Sequence, residues 1–119
     1  PGLWSVTNMG VFFNSMDYLY RPVSYTPSRT SVDSDGKVRL VLAHEDPGCH
    51  NWLDTQGFAS GNLTYRLLPG GAATTFATQG VKRSALDAAL PADHARVTPA
   101  QRLAQLQQRY AGIRRRYRL

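Results

Sequence analysis

The sequence is poor in cysteine, in long apolar runs and, towards its C-terminus, in acidic residues. Cys49 is the single cysteine among 119 residues, which excludes an intrachain disulfide and leaves packing to stabilise the fold. No apolar run approaches the roughly 18 residues that a membrane-spanning helix needs, and the N-terminus lacks the basic-then-apolar order of a secretory signal. These absences predict a soluble, cytoplasmic protein with no membrane span.

The net charge of +6 is concentrated at the C-terminal end. Residues 1–95 carry seven basic and eight acidic side chains, whereas residues 96–119 carry seven basic and no acidic ones. Such a tail can contact phosphates, an anionic membrane surface or an acidic protein patch, but an arginine-rich run also serves simply as a solvated helix face. Because no recognised nucleic-acid-binding module accompanies it, we expect no dedicated nucleic-acid site.

The chain begins Pro1-Gly2-Leu3-Trp4, without an initiator methionine and almost directly in a strand-like pattern. We therefore expect a domain of a longer parent protein, or a processed product. The rest of that parent and a second copy of the chain are the expected protein partners.

Residues 3–81 alternate short apolar runs with turn formers, a pattern typical of strands. The predicted strands cover residues 3–7, 11–14, 23–26, 37–44, 62–68 and 74–78. Ser34-Asp35-Gly36 is a strong turn signal, because Asp-Gly supplies the positive φ that tight turns require. In the strand after it, the even-numbered residues share one face, which we predict to face the core: Val38, Leu40, Leu42 and His44.

The pattern changes to helical after Gly80. Residues 84–90 predict a short helix, and a long one follows Thr98, with Thr98 as N-cap, Pro99 in the first turn and Gln101 completing a capping box. Apolar residues then recur every three or four positions and predict the packed face: Leu103, Leu106, Tyr110, Ile113 and Tyr117. The arginines fall at other angles, so we expect them in solvent.

The densest polar cluster is the loop at residues 44–57, HEDPGCHNWLDTQG, which contains two histidines, three carboxylates, a thiol and a tryptophan. Loops held by a rigid scaffold carry function disproportionately. The predicted ligand-binding residues come from this loop and from the strand after it: His44, Glu45, Asp46, His50, Asn51, Trp52, Asp54 and Arg66.

Three kinds of chemistry are compatible with this loop. Its histidines and carboxylates suit a metal, but their spacing matches no strong ligand motif, so we expect no metal and no other cofactor. Cys49 beside His50 suggests a thiolate nucleophile, but neighbours in sequence rarely have the required geometry. Carboxylates flanking Trp52 suggest acid–base chemistry on a sugar.

Trp52 and Asn51 also have a purely structural interpretation, which we favour. A long loop needs an anchor that offsets its conformational entropy. We predict that Trp52 packs into the core and that Asn51 satisfies backbone groups of the loop.

Five stretches together resemble a known family: LWSVT at 3–7, DYLYRPVS at 17–24, DSDGKV at 33–38, HEDPG at 44–48 and NWLDT-x-G at 51–57. They are similar to the C-terminal domain of the bacterial proteins grouped as domain of unknown function twelve-fourteen, particularly its actinobacterial type. The resemblance implies a jelly-roll-like β-sandwich that usually follows another domain. It implies no reaction and assigns no catalytic residue.

The sequence as a whole thus predicts a mainly β protein, a jelly-roll-like antiparallel β-sandwich at residues 1–81 with a helical extension at 82–119 packed on the same domain. Its expected function is that of a binding or accessory module for a small polar ligand or carbohydrate. The alternatives are a fragment of an enzyme whose site is shared with a missing domain, and interaction with a protein or polyanion through the arginine-rich helix.

Overall fold

The chain forms short strands in two separate sheets, as seen in a computed structural model that describes residues 3–68 and 74–118. Strand β1 (Trp4–Met9) lies at the centre of a three-stranded antiparallel sheet, between β2 (Ser24–Tyr25) and β5 (Asn62–Leu67). Strands β3 (Val41–Ala43) and β4 (Trp52–Asp54) form a second, parallel pair. The described residues therefore form a small α/β fold.

The predicted jelly-roll-like β-sandwich is wrong. A jelly roll is built from antiparallel strands in two facing sheets, whereas the second sheet here is one parallel pair of three-residue strands. A strand persists only where a neighbour accepts and donates its backbone hydrogen bonds. The predicted strands at 11–14 and 74–78 have no such neighbour among the described residues, and only residues 41–43 of the predicted 37–44 strand pair with one.

Some of the predicted strands are present in the structure and others are not. Those at 3–7, 23–26 and 62–68 coincide with β1, β2 and β5. Residues 11–14 form a turn instead, closed by a 2.9 Å bond from the Gly10 amide to the Asn14 carbonyl, and residues 74–78 have no regular structure. The Asp35-Gly36 turn is confirmed, with Gly36 at φ 80°.

The face assigned to residues 37–44 is only partly correct, because a residue from the opposite face, Val41, is the one that β3 buries. Leu40 packs against Val6, Tyr25 and Leu53. Val41, assigned to the outer face, is buried against Cys49 and Leu86. His44 and the other predicted core positions on this segment, Val38 and Leu42, are exposed. An alternating pattern predicts one buried face and one face exposed to solvent. Here the short helix that contains Leu86 packs against Val41 and covers the face predicted to be exposed.

The interior contains nearly as many polar as apolar side chains. The buried polar or charged residues are Asn8, Asp33, Asn51, Asp54, His94, Arg102 and Arg109. A buried polar group costs free energy unless it is hydrogen-bonded. Specific polar contacts, in addition to two small apolar clusters, therefore determine how the segments are arranged.

Two α-helices follow the strands. Helix α1 (Leu86–Ala89) continues a 3-10 turn (Arg83–Ala85), within the predicted 84–90 helix. Helix α2 (Pro99–Tyr117) begins as predicted: Thr98 Oγ1 accepts the Gln101 amide at 3.2 Å, and Gln101 Oε1 accepts the Thr98 amide at 2.8 Å. In the part of the chain that the structure describes, no helix combines the length and apolarity needed to cross a membrane.

The predicted packing face of α2 is wrong. The helix buries Arg102 and Arg109, which are 4% and 7% exposed, whereas Leu103 is 58% and Tyr117 is 56% exposed. Leu106, Tyr110 and Ile113 are half-buried at the flank. The buried face therefore lies roughly a quarter of a turn from the apolar stripe. The underlying surface presents carboxylate, carbonyl and hydroxyl oxygens, and guanidinium groups can satisfy these where leucines cannot.

Candidate functional site

Asn51 and Trp52, at the centre of the predicted loop, are both buried and have structural contacts. The Asn51 side chain accepts the Ser31 amide at 2.9 Å and donates to the Ser31 carbonyl at 2.8 Å and to the Arg39 carbonyl at 3.0 Å. The Trp52 indole donates to the Ala43 carbonyl at 3.0 Å. The predicted burial of Trp52 is confirmed. Asn51 does bond backbone groups, but these belong to residues 31 and 39 and not, as predicted, to its own loop.

The carboxylates of the loop belong to different ion pairs. Asp46 accepts the Gly48 amide at 2.8 Å and pairs with Arg102. Asp54 is fully buried, accepts the Gln56 amide at 2.8 Å and pairs with Arg21 at 3.1 Å. The structure therefore does not bring these two carboxylates together as an acid–base pair.

The remaining predicted residues point to no common site. His44 hydrogen-bonds Thr55, while Glu45 is exposed and has no ion pair among residues 3–68 and 74–118. Arg66 is exposed on β5, opposite Ser5 of β1. A ligand-binding role for these residues stays a prediction.

Cys49 and the potential metal ligands show no catalytic arrangement. Cys49 is fully buried, and burial raises the pKa of its thiol even though an Arg96 guanidinium nitrogen lies 3.4 Å from its sulfur. A raised pKa keeps a thiol protonated and a poor nucleophile. Across the described ranges, no three histidine, cysteine or acidic residues are grouped so that they could hold a metal ion.

His50 is the predicted loop residue that, among those the structure describes, lines a cleft beside α2. This cleft, of about 540 Å³, lies between α2 and residues 28–31, and we call it the α2 cleft. Every residue that lines it has a polar or basic group in its side chain: Tyr25, Ser28, Arg29, Thr30, Ser31, His50, Gln105, Gln108, Arg109 and Arg115. It contains three arginines and no carboxylate.

Arg109 is the buried cation of the α2 cleft. Its Nη1 donates to the Ser24 carbonyl at 2.8 Å and its Nη2 to the Ser24 hydroxyl at 3.2 Å, while its Nε is buried with no partner. Of the five N–H donors that a guanidinium carries, two are thus used. Burial lowers the pKa of Arg109, and the positive charge of Arg29 also lowers it.

Two further guanidinium groups meet at Gly112, one helical turn beyond Arg109. A Cβ placed on Gly112 would lie 3.3 Å from Nη2 of Arg29 and 4.0 Å from Nη2 of Arg115. Neither arginine forms an ion pair with a described carboxylate. The missing side chain at Gly112 thus leaves room for two like charges that repel each other.

His50 is held in one tautomer by its neighbour. Its Nδ1 lies 2.8 Å from Asn51 Oδ1, an oxygen that already accepts the Ser31 amide. Because an amide oxygen can only accept, Nδ1 carries the proton and Nε2 keeps its lone pair in the neutral ring. The His50 carbonyl also accepts the Tyr25 hydroxyl at 3.0 Å, which joins this loop to the floor of the α2 cleft.

The sequence reasoning missed Arg29, Arg109 and Arg115 as site residues. A signal was present in α2, because Arg102, Gln105, Arg109 and Gly112 recur at three- and four-residue steps and form a stripe of their own. The apolar stripe was preferred because leucine is far more often buried than arginine. Residues 28–31 carried no signal, since only the tertiary fold brings them to α2.

Comparisons with known proteins identify no relative of this chain. No family model, no curated protein and no solved structure matches this chain. The resemblance to domain of unknown function twelve-fourteen therefore stays a prediction, and function has to be inferred from the geometry.

Proposed function

We propose that this chain is a binding module that takes a small anionic ligand in the α2 cleft. The observation that carries the proposal is the state of Arg109. Its side chain is buried beside a second guanidinium, it has no carboxylate partner among the described residues, and three of its five donors are unused.

An uncompensated buried cation is costly, and an anion would relieve that cost. Charges that are removed from water are normally paired, because desolvation otherwise exceeds what the remaining contacts return. A ligand oxyanion bound between the three guanidinium groups would supply the missing negative charge. Arginine suits this role because its planar fork matches carboxylate and phosphate oxygens bidentately.

The enzyme alternative has less support from the contacts. Two of the three loop carboxylates, Asp46 and Asp54, are each engaged by an arginine, and the thiol is buried with a raised pKa. A binding module needs only the cleft and its charges. Of the functions that the sequence suggests, small-ligand binding fits these residues best, at a site other than the predicted loop.

The test is the binding of inorganic phosphate and sulfate, measured by calorimetry and by thermal melting at constant ionic strength. A ligand at 100 times its Kd should stabilise the native chain by about 2.7 kcal/mol. The Arg109→Met and Arg115→Gln variants should lose this stabilisation. Arg116→Gln is the matched control, because it removes one charge from the same exposed end of α2 but lies outside the cleft lining.

Two results would overturn the proposal. One is the absence of saturable binding of either anion to the native chain. The other is an equal loss of binding in the Arg115→Gln and Arg116→Gln variants, which would indicate diffuse attraction to the basic helix in place of a site.

A further inference from the structure

We infer that the ligand of the α2 cleft is the phosphate ester of a polyhydroxylated body, that is, a sugar or polyol phosphate. This inference rests on the proposed function and deepens it. It follows from the part of the lining that surrounds the three arginines.

Apart from Tyr25 and His50, the rest of the lining consists of hydroxyl and amide side chains. Residues 28–31 contribute the side chains of Ser28, Thr30 and Ser31, and α2 contributes Gln105 and Gln108. The Gln108 amide and the Ser31 hydroxyl have no hydrogen-bond partner in the part of the chain that the structure describes. Groups that both donate and accept match ligand hydroxyls, which do the same.

The lining offers no flat apolar surface. Its aromatic rings are Tyr25, which is 1% exposed with the Arg109 guanidinium 5.7 Å from its centre, and His50, which is half-buried. A nucleobase would need an accessible aromatic face to stack on, and an acyl chain would need apolar walls. The lining thus disfavours a nucleotide and a fatty acid.

The size of the cleft argues for a ligand larger than one inorganic anion. A volume of about 540 Å³ lies within the roughly 300–1,000 Å³ typical of small-molecule sites. A phosphate held by the arginines would leave space beside it, and the amide and hydroxyl groups border that space. A phosphorylated sugar fills both parts.

The experiment compares four probes by calorimetry on the full chain: inorganic phosphate, glucose 6-phosphate, adenosine 5′-monophosphate and glucose. We expect glucose 6-phosphate to bind at least about tenfold more tightly than inorganic phosphate, the order of effect that one or two added hydrogen bonds provide. The adenosine monophosphate should bind no more tightly than inorganic phosphate. Glucose alone should not bind measurably, because the anion anchors the ligand.

The Gln108→Ala variant separates the two parts of the ligand. It should weaken glucose 6-phosphate severalfold and leave inorganic phosphate unchanged. Gln107→Ala is the matched control, since Gln107 is the neighbouring exposed glutamine on α2 and does not line the cleft. Both side chains are exposed, so both variants should melt as the native chain does.

The outcomes distinguish this inference from the proposed function. Two results would overturn the sugar-phosphate inference and leave the anion site in place. One is equal affinity for glucose 6-phosphate and inorganic phosphate, and the other is tighter binding of adenosine monophosphate than of inorganic phosphate. An identical response of the Gln107 and Gln108 variants would also overturn it. The absence of any phosphate binding would overturn both.

Discussion

Arg102 and Arg109 lie seven residues apart on the buried face of α2, and each guanidinium lies over an aromatic ring, Trp52 at 5.1 Å and Tyr25 at 5.7 Å. Arg102 uses every donor it has. Its Nε and Nη2 hold both oxygens of Asp46, at 2.9 and 3.2 Å, and its remaining N–H groups donate to the carbonyls of Cys49 and His50 and to Gln105. Arg109 uses two donors and meets no carboxylate.

The difference shows that burial alone does not give an arginine its role. Arg102 fastens the loop at residues 46–50 to α2, because five acceptors satisfy its five donors and one of them carries the balancing charge. Arg109 is equally enclosed, yet its charge is left without a counterion. We therefore expect the two positions to respond to mutation in different ways.

The largest effect should come from removing the ring beneath Arg102. Trp52→Ala deletes a buried indole and its bond to the Ala43 carbonyl, and should lower the free energy of unfolding by about 3–5 kcal/mol. Urea denaturation of the native chain and the variant measures this difference in the free energy of unfolding. Trp4→Ala, at a half-buried tryptophan, is the comparison and should cost less. An unchanged midpoint for Trp52→Ala would contradict the anchoring role of this side chain.

Arg102→Met should be the next most costly change. It leaves Asp46 without its ion-pair partner and the Cys49 carbonyl without its side-chain donor, whereas the His50 carbonyl keeps the Tyr25 hydroxyl. Asp46 is partly exposed and can regain water, so we expect a loss of about 2–3 kcal/mol. Asp46→Asn should reproduce part of this loss, and the double variant should show that the two effects are not additive. Fully additive losses would mean that the pair does not act as a unit.

Arg109→Met should change stability little. The loss of two hydrogen bonds to Ser24 is offset because an unpaired charge is no longer buried, so the free energy of unfolding should shift by less than about 1 kcal/mol in either direction. The same urea titration in phosphate-free buffer measures it. A loss as large as that of Arg102→Met would remove the contrast between the two positions.

The smallest effect concerns the ion pair between Arg39 and the exposed carboxylate of Asp35. Arg39 binds Asp35 at 2.8 Å and Asp33 at 2.7 Å, and its hydrogen bond to Asp35 is the main reason why the pKa of that carboxyl is lowered from 3.8 to about 2. A lowered pKa in the folded state means that the contribution of Asp35 is fully present above pH 3.8 and is lost as the pH falls through about 2. An NMR titration of the Asp35 carboxyl should have its midpoint near 2, and Arg39→Gln should raise it.

Local features of the fold could be predicted where sequence neighbours decide them. The capping box at Thr98 needs only residues within one turn, and the Asp35-Gly36 turn needs only its own backbone. The strands of the first sheet were found because each pairs with a neighbour along most of its length. The strand predicted at residues 37–44 is longer than β3, because the alternation of apolar and polar residues does not show whether a partner strand is present.

The candidate site could not be predicted in the same way. The loop at residues 44–57 is rich in histidine, carboxylate and thiol side chains. These residue types suggest a functional site whether or not the fold brings them together. In the fold, Asp46, Asn51 and Asp54 are engaged by distant backbone or arginine partners. Of the predicted ligand-binding residues, His50 is the one that lines the α2 cleft as described, and its ring is hydrogen-bonded to Asn51.

By itself, the sequence determined where α2 begins, where the Asp35-Gly36 turn lies, that no intrachain disulfide forms and that the positive charge collects at the C-terminal end. Each of these depends on composition or on contacts within a few residues. The tertiary structure alone decided which face of α2 is buried, that β3 and β4 run parallel, and that Arg29 and Arg115 both lie beside Gly112. These depend on which oxygens and charges distant segments present to one another, a choice that helical periodicity does not encode.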